Sequence, residues 1–206
     1  MGLYVDYIPL KPIPETLALV IGDAAHNLRS ALDHLATSIC RSVDPKAKIH
    51  FPIHPKRKNL ETAPVLNLIE EAIPGAKKAF LKNIRPENGP NESLWLFNDL
   101  DNDDKHNFIL PAVAVTGVRN LNITAAGFNI KDCIITGDAA SPMGIFGAPG
   151  FAGELTIHNN PAVSVAVSFG DGTPFKDQPV IPTLTQIAEL VSGTIDKFQC
   201  LIDNQA

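Results

Sequence analysis

Residues 15–44 contain no proline, although prolines stand at 12 and 14 on one side and at 45, 52 and 55 on the other. Proline cannot continue a helix, so this uninterrupted stretch predicts one long helix, from about Glu15 to Arg41. At about 100° per residue, Leu17, Val20, Ile21, Ala24, Leu28, Ala31, Leu32, Leu35 and Ile39 share one broad stripe, the expected core face.

Shorter segments follow. Tyr4–Ile8 reads as a short strand and Lys48–Ile53 as an extended piece limited by its prolines. Helices are expected over Val65–Ala72, over Gly75–Asn83 after Pro74, and over about Asn91–His106. At Phe108 the texture changes to β-branched runs separated by Gly, Pro and Asn. Strands are expected at Phe108–Thr116, Asn122–Ala125, Asp132–Thr136, Gly153–His158 and Ala162–Phe169, with a loop over Gly137–Gly153. In Ala162–Phe169 the valines and Phe169 alternate with Ala and Ser, the pattern of a half-buried strand. Helical spacing returns over Thr183–Ile202. The expected fold is α+β in a single domain: a helical bundle from residues 1–107 and 182–206, with an antiparallel β-sheet inserted at 108–181.

The other face of the first helix carries the chemistry. His26, Arg29 and Asp33 lie within about 60° of one another, and Asp23, Asn27 and His34 within about 40° on a neighbouring stripe. A solvated helix face is normally built from Lys and Glu, which favour helix; from Asp23 to Ser38 there is neither. Short polar groups in their place imply a face covered by another element and hydrogen-bonded across the contact. Arg29 and Asp33, at i and i+4, can pair within the helix. A second polar cluster, Asn98–Asn107, ends the fourth helix. Its Asp104, Lys105 and His106 are expected to face the first helix. His50 and His54 read as partly buried loop histidines, and His158 receives no role.

The run Gly22-Asp23-Ala24-Ala25-His26-Asn27-Leu28-Arg29-Ser30-Ala31-Leu32-Asp33-His34-Leu35, followed downstream by Phe51-Pro52-Ile53 and Asp104-Lys105-His106, resembles a widespread bacterial family of uncharacterised proteins. In that family an Arg usually follows the DKH triplet; here Asn107 does. Arg29 and His34, four residues between them, are also similar to the R-x4-H motif of the HEPN superfamily of helical bundles. That resemblance implies a metal-independent ribonuclease or RNA-binding homodimer. On that resemblance His34 would be the general base on a ribose 2′-hydroxyl and Arg29 the phosphate ligand; the polar face itself adds His26 and Asp33 as catalytic candidates. Asp23, Asn27, Asp104, Lys105 and His106 would be binding residues.

Charge bears on the partner. The net charge is −5, but residues 45–85 carry nine basic and three acidic side chains, so only this segment suits a phosphate chain. Cys40, Cys133 and Cys200 are odd in number and form no CxxC pair, which argues against a disulfide framework or zinc knuckle. The N-terminus has no basic start before an apolar run, and no apolar stretch reaches the roughly 20 residues that span a bilayer, so the expectation is cytoplasmic and without membrane. No cofactor and no metal are expected. Two other readings compete. One is a metal-dependent hydrolase using Asp23, His26, Asp33, His34, Asp104 and His106 as ligands; the other is a non-catalytic protein built for dimerisation and partner binding.

Overall fold

A computed structural model describes residues 3–5, 13–89, 92–106, 109, 111–125, 128–136, 143–146 and 155–204. The fold is α+β, and the chain divides into two compact units. One unit holds the strands, from residues 1–17, 110–172 and 176–180. The other is helical, from residues 18–109, 173–175 and 181–206.

In the helical unit α1 spans Glu15–Cys40, close to the proline-bounded prediction. Its buried line runs through Ala18, Ile21, Gly22, Ala25, Arg29, Leu32, Ala36 and Ile39. That line is rotated by about 90° from the expected stripe. Val20, assigned to the core, is 63% exposed, and its neighbour Leu19 52%. The small residues Ala18, Gly22, Ala25 and Ala36 lie on the buried line, and at Gly22 the Asp104 carboxylate comes closer than a Cβ would allow.

After α1 the chain makes α2 (Arg57–Glu61), α3 (Pro64–Ala72), α4 (Ala76–Ala79) and then a π-helical turn over Phe80–Ile84. The sequence reading missed α2 and took α4 and the π turn as one helix. α5 is Glu92–His106 and buries Leu94, Phe97 and Leu100 completely. The closing helix α6, Val180–Asp203, starts before its expected Thr183 because Pro182 falls in the first turn, where proline is tolerated. It buries Thr183, Ile187, Val191, Thr194 and Phe198 at helical spacing. Phe51, Phe80 and Phe198 meet with ring centroids 5.4–6.4 Å apart and join the loop before α2, the π turn and α6 in one core. Burying each such ring contributes about 1.5–3 kcal/mol.

The strand unit has β1 (Leu3–Val5) paired antiparallel with β4 (Met143–Phe146), inside the stretch expected to be loop. The rest of the 137–153 expectation lies outside the described residues. A separate sheet is built on β2, which runs unbroken over Pro111–Ala125 where two strands were expected. β3 (Phe128–Thr136) pairs along one edge of β2; β6 (Ala162–Phe169) and β5 (Leu155–Ile157) share the other, all antiparallel. Asn159, in the connection between β5 and β6, ties that connection to β2: its side chain accepts from the Asn122 amide at 2.9 Å and donates to the Asn120 carbonyl. Along β6 exposure does not alternate as the Val/Ser pattern suggested. Val163 and Val165 are 45% and 48% exposed, and burial sets in only toward Phe169.

Candidate functional site

The polar side chains of α1 meet α5 and the irregular segment 47–54, all within the helical unit. Arg29 is 7% exposed, which a charged residue tolerates only when its donors are met. Its Nε donates to Asn98 Oδ1 at 3.2 Å, one terminal nitrogen to the Phe51 carbonyl at 3.1 Å and the other to Asp33. One planar guanidinium thus ties α1 to α5 and to the 47–54 segment.

Asp33 is the second hub. Its Oδ1 accepts from the Phe51 amide at 2.7 Å as well as from Arg29, and its Oδ2 faces His50 Nδ1 at 2.8 Å. Burial pushes the carboxyl pKa up, but the hydrogen bonds to His50 and Phe51 and the charge of Arg29 outweigh it. The result lies below the usual Asp value. An ionised Asp33 can only accept, so the proton between them sits on His50 Nδ1, and Nε2 is the ring nitrogen that Asp33 leaves unengaged. The His50 side chain is 89% exposed. It lines a cavity of about 480 Å³ together with Arg29, Pro52, His54, Asn59 and Thr62. Thr37 completes the attachment: its hydroxyl donates to the Ile49 carbonyl at 2.9 Å and accepts from the Ile49 amide at 3.2 Å.

Nearer the start of α1, His26 Nδ1 lies 3.0 Å from Asp101 Oδ1, with Asp101 only 1% exposed. Asp104 comes so close to Gly22 that a Cβ there would overlap its carboxylate. Burial first, then the nearby Asp101 and Asp23 carboxylates, raise the Asp104 pKa; His26 only partly offsets them. Asp99 is raised as well, by burial and by Asp103.

The expected site residues therefore separate. Arg29 and Asp33 share one network; His26 and Asp104 belong to another, with Asp23 acting on Asp104 through its charge. Asn27 and His34 are exposed, and His34 points about 170° away from the buried line of α1. The side chains of Lys105 and His106 lie outside the described residues. Among the described residues no group of three or more His, Cys, Asp or Glu is arranged to hold a metal ion. Nor is any described helix long and apolar enough to cross a membrane. The residue that sequence reading undervalued is His50. Its partner Asp33 is seventeen residues away, and only the folded path of 47–54 joins them. No family model matches this sequence, and no curated protein or solved structure matches it.

Proposed function

We propose that the helical unit is a metal-independent acid–base centre acting on RNA, with His50 as its base. The observation that carries this reading is the Asp33–His50 pair, 2.8 Å apart at the rim of the 480 Å³ cavity. A carboxylate that orients an imidazole through Nδ1 and leaves Nε2 unengaged, on a residue lining a cavity, is the arrangement general-base chemistry uses. In RNA cleavage His50 takes the 2′-hydroxyl proton as the 2′-oxygen bonds to phosphorus. The P–O5′ bond breaks, and a protonated His54, on the same cavity, returns a proton to the leaving 5′-oxygen. Arg29, three of its donors already committed, holds Asp33 and the His50 segment in position and does not bind the phosphate. On this reading the acting species is a homodimer, supported by the open apolar edge of α1 at Leu19 and Val20.

The test is cleavage of a mixed single-stranded RNA in EDTA by wild type, His50→Ala and His34→Ala. Cleavage by wild type and by the His34 variant, with the His50 variant slower by roughly 10²–10⁴-fold, is the expected result. An inactive wild type, or a His50 variant as fast as wild type, overturns it.

A second reading has its own support. Three acceptors on three segments converge on Arg29, which is what a network serving only to fix the packing of the unit would look like. It expects Arg29 and Asp33 substitutions to change stability and nothing else.

A further inference from the structure

A second cavity in the helical unit, of about 420 Å³, is lined by Arg57, Leu81, Lys82, Arg85 and Glu87. Three of these five residues are cationic, and they come from the basic segment that stands out against the acidic chain. The local backbone is unusual. Residues 80–84 form a π turn, closed by the Arg85 amide donating to the Phe80 carbonyl at 3.1 Å, and Arg85 itself is left-handed at φ 51°. Both features cost conformational energy and recur where a chain must aim side chains at a ligand. Arg57 is fixed against the same turn by donating to the Leu81 carbonyl.

Glu87 sits beneath the cations with its side chain 4% exposed. Its Oε1 is 3.2 Å from both Arg57 and Arg85, while its buried Oε2 has no hydrogen-bond partner. A buried carboxylate oxygen without a donor is an incomplete site. The cavity therefore brings together cations for a phosphate and, behind them, a buried carboxylate oxygen that lacks a donor. Lys82 is exposed, and the side chains of Arg57 and Arg85 are 39% and 40% exposed, so all three can be approached. The cavity is also joined to the acid–base cavity through the backbone. His54, which lines the latter, pairs with Glu87, and its amide donates to the Pro86 carbonyl at 3.2 Å.

We infer that the Arg57–Lys82–Arg85–Glu87 cavity binds the backbone of an RNA strand, a phosphate on the cations and a ribose 2′-hydroxyl on Glu87. This rests on the RNA reading of the neighbouring His50 site and extends it to a second subsite along the same strand. The 2′-hydroxyl is the group by which a protein distinguishes RNA from DNA, and the Glu87 carboxylate would accept it once Arg57 and Arg85 turn toward the phosphate.

Fluorescence anisotropy with one labelled 12-nucleotide sequence, made as RNA and as DNA, tests this on the full chain. Wild type should bind RNA several-fold more tightly than DNA. Lys82→Ala and Arg85→Gly should each weaken RNA binding by roughly three- to tenfold and lower the salt slope by about one phosphate contact. Glycine is at ease in the left-handed conformation of residue 85, so the second variant removes a charge without straining the turn. Glu87→Gln should narrow the preference for RNA over DNA. Equal binding of RNA and DNA by wild type, or wild-type affinity in both cation variants, overturns the inference, as does a wild type that binds no RNA. Competition by adenosine 5′-monophosphate as effective as by the strand overturns it in favour of a mononucleotide site. RNA cleavage that ignores Lys82 and Arg85 sinks this subsite alone. Binding that depends on them, without cleavage, sinks the acid–base reading alone.

Discussion

Around Arg29 and Asp33 each charge of α1 meets an opposite charge or a backbone group. One to two turns earlier, around Gly22 and His26, burial and the neighbouring Asp101 and Asp23 carboxylates act together on Asp104, and His26 offsets them only in part. Both regions are polar contacts made by the same helix, yet their carboxyl groups shift in opposite directions, Asp33 down and Asp104 up. Proximity of polar groups is therefore not what stabilises a helix contact. What matters is whether the donors and charges balance once water has been removed.

The sharpest way to break the comparison is Arg29→Ala. It leaves Asp33, Asn98 and the Phe51 carbonyl without their common donor, and should cost about 3–5 kcal/mol in chemical denaturation. Arg29→Lys keeps the charge but not the fork, and should recover only part of this loss. A cost below about 1 kcal/mol for the alanine variant would mean the network does not hold the unit together.

Asp33→Asn comes next, at about 1–3 kcal/mol near neutral pH. The Asp33 pKa is depressed in the fold, so its stabilisation is present above the unfolded value of about 4 and is lost as pH falls through the folded value. The difference from wild type should accordingly shrink below pH 4. A difference that stays constant down to pH 2 would show that the ionised carboxylate is not what matters.

The smallest effect has the opposite sign. The Asp104 pKa is raised in the fold, so its penalty is absent below about pH 4 and complete once pH has risen through the folded value. Asp104→Asn should stabilise the protein at pH 7 by about 0.5 kcal/mol, modest because the group is only partly buried. Thermal melts at pH 3 and pH 7 would check this, and a variant that melts lower than wild type at pH 7 would remove the contrast between the two regions.

Which of these features could be read from residues alone follows from how local their causes are. The extent of α1 was legible because prolines and period are properties of adjacent residues. So was the span of β6, Ala162–Phe169, although not its exposure. The buried face of α1 was misjudged, because Ala18, Gly22 and Ala25 count for little in hydrophobicity, although all three are buried and Asp104 packs directly on Gly22. The polar groups of α1 were recognised as unusual, but their division into a set around Asp33 and a set around Asp104 depends on what Asn98, Asp101 and Asp104 do in space. The π turn at Phe80–Ile84 leaves no periodic signature in five residues.

The hydrogen bonds that join Thr37, Asp33 and Arg29 to Ile49 and Phe51 have a kinetic consequence. The segment that bears His50 has no regular secondary structure, yet its Ile49 and Phe51 amides are bonded to side chains rooted in the middle of α1. Those amides exchange with solvent only when their helix partners let go. A stretch that looks like a surface loop is thereby coupled to the opening of one of the longest elements in the unit.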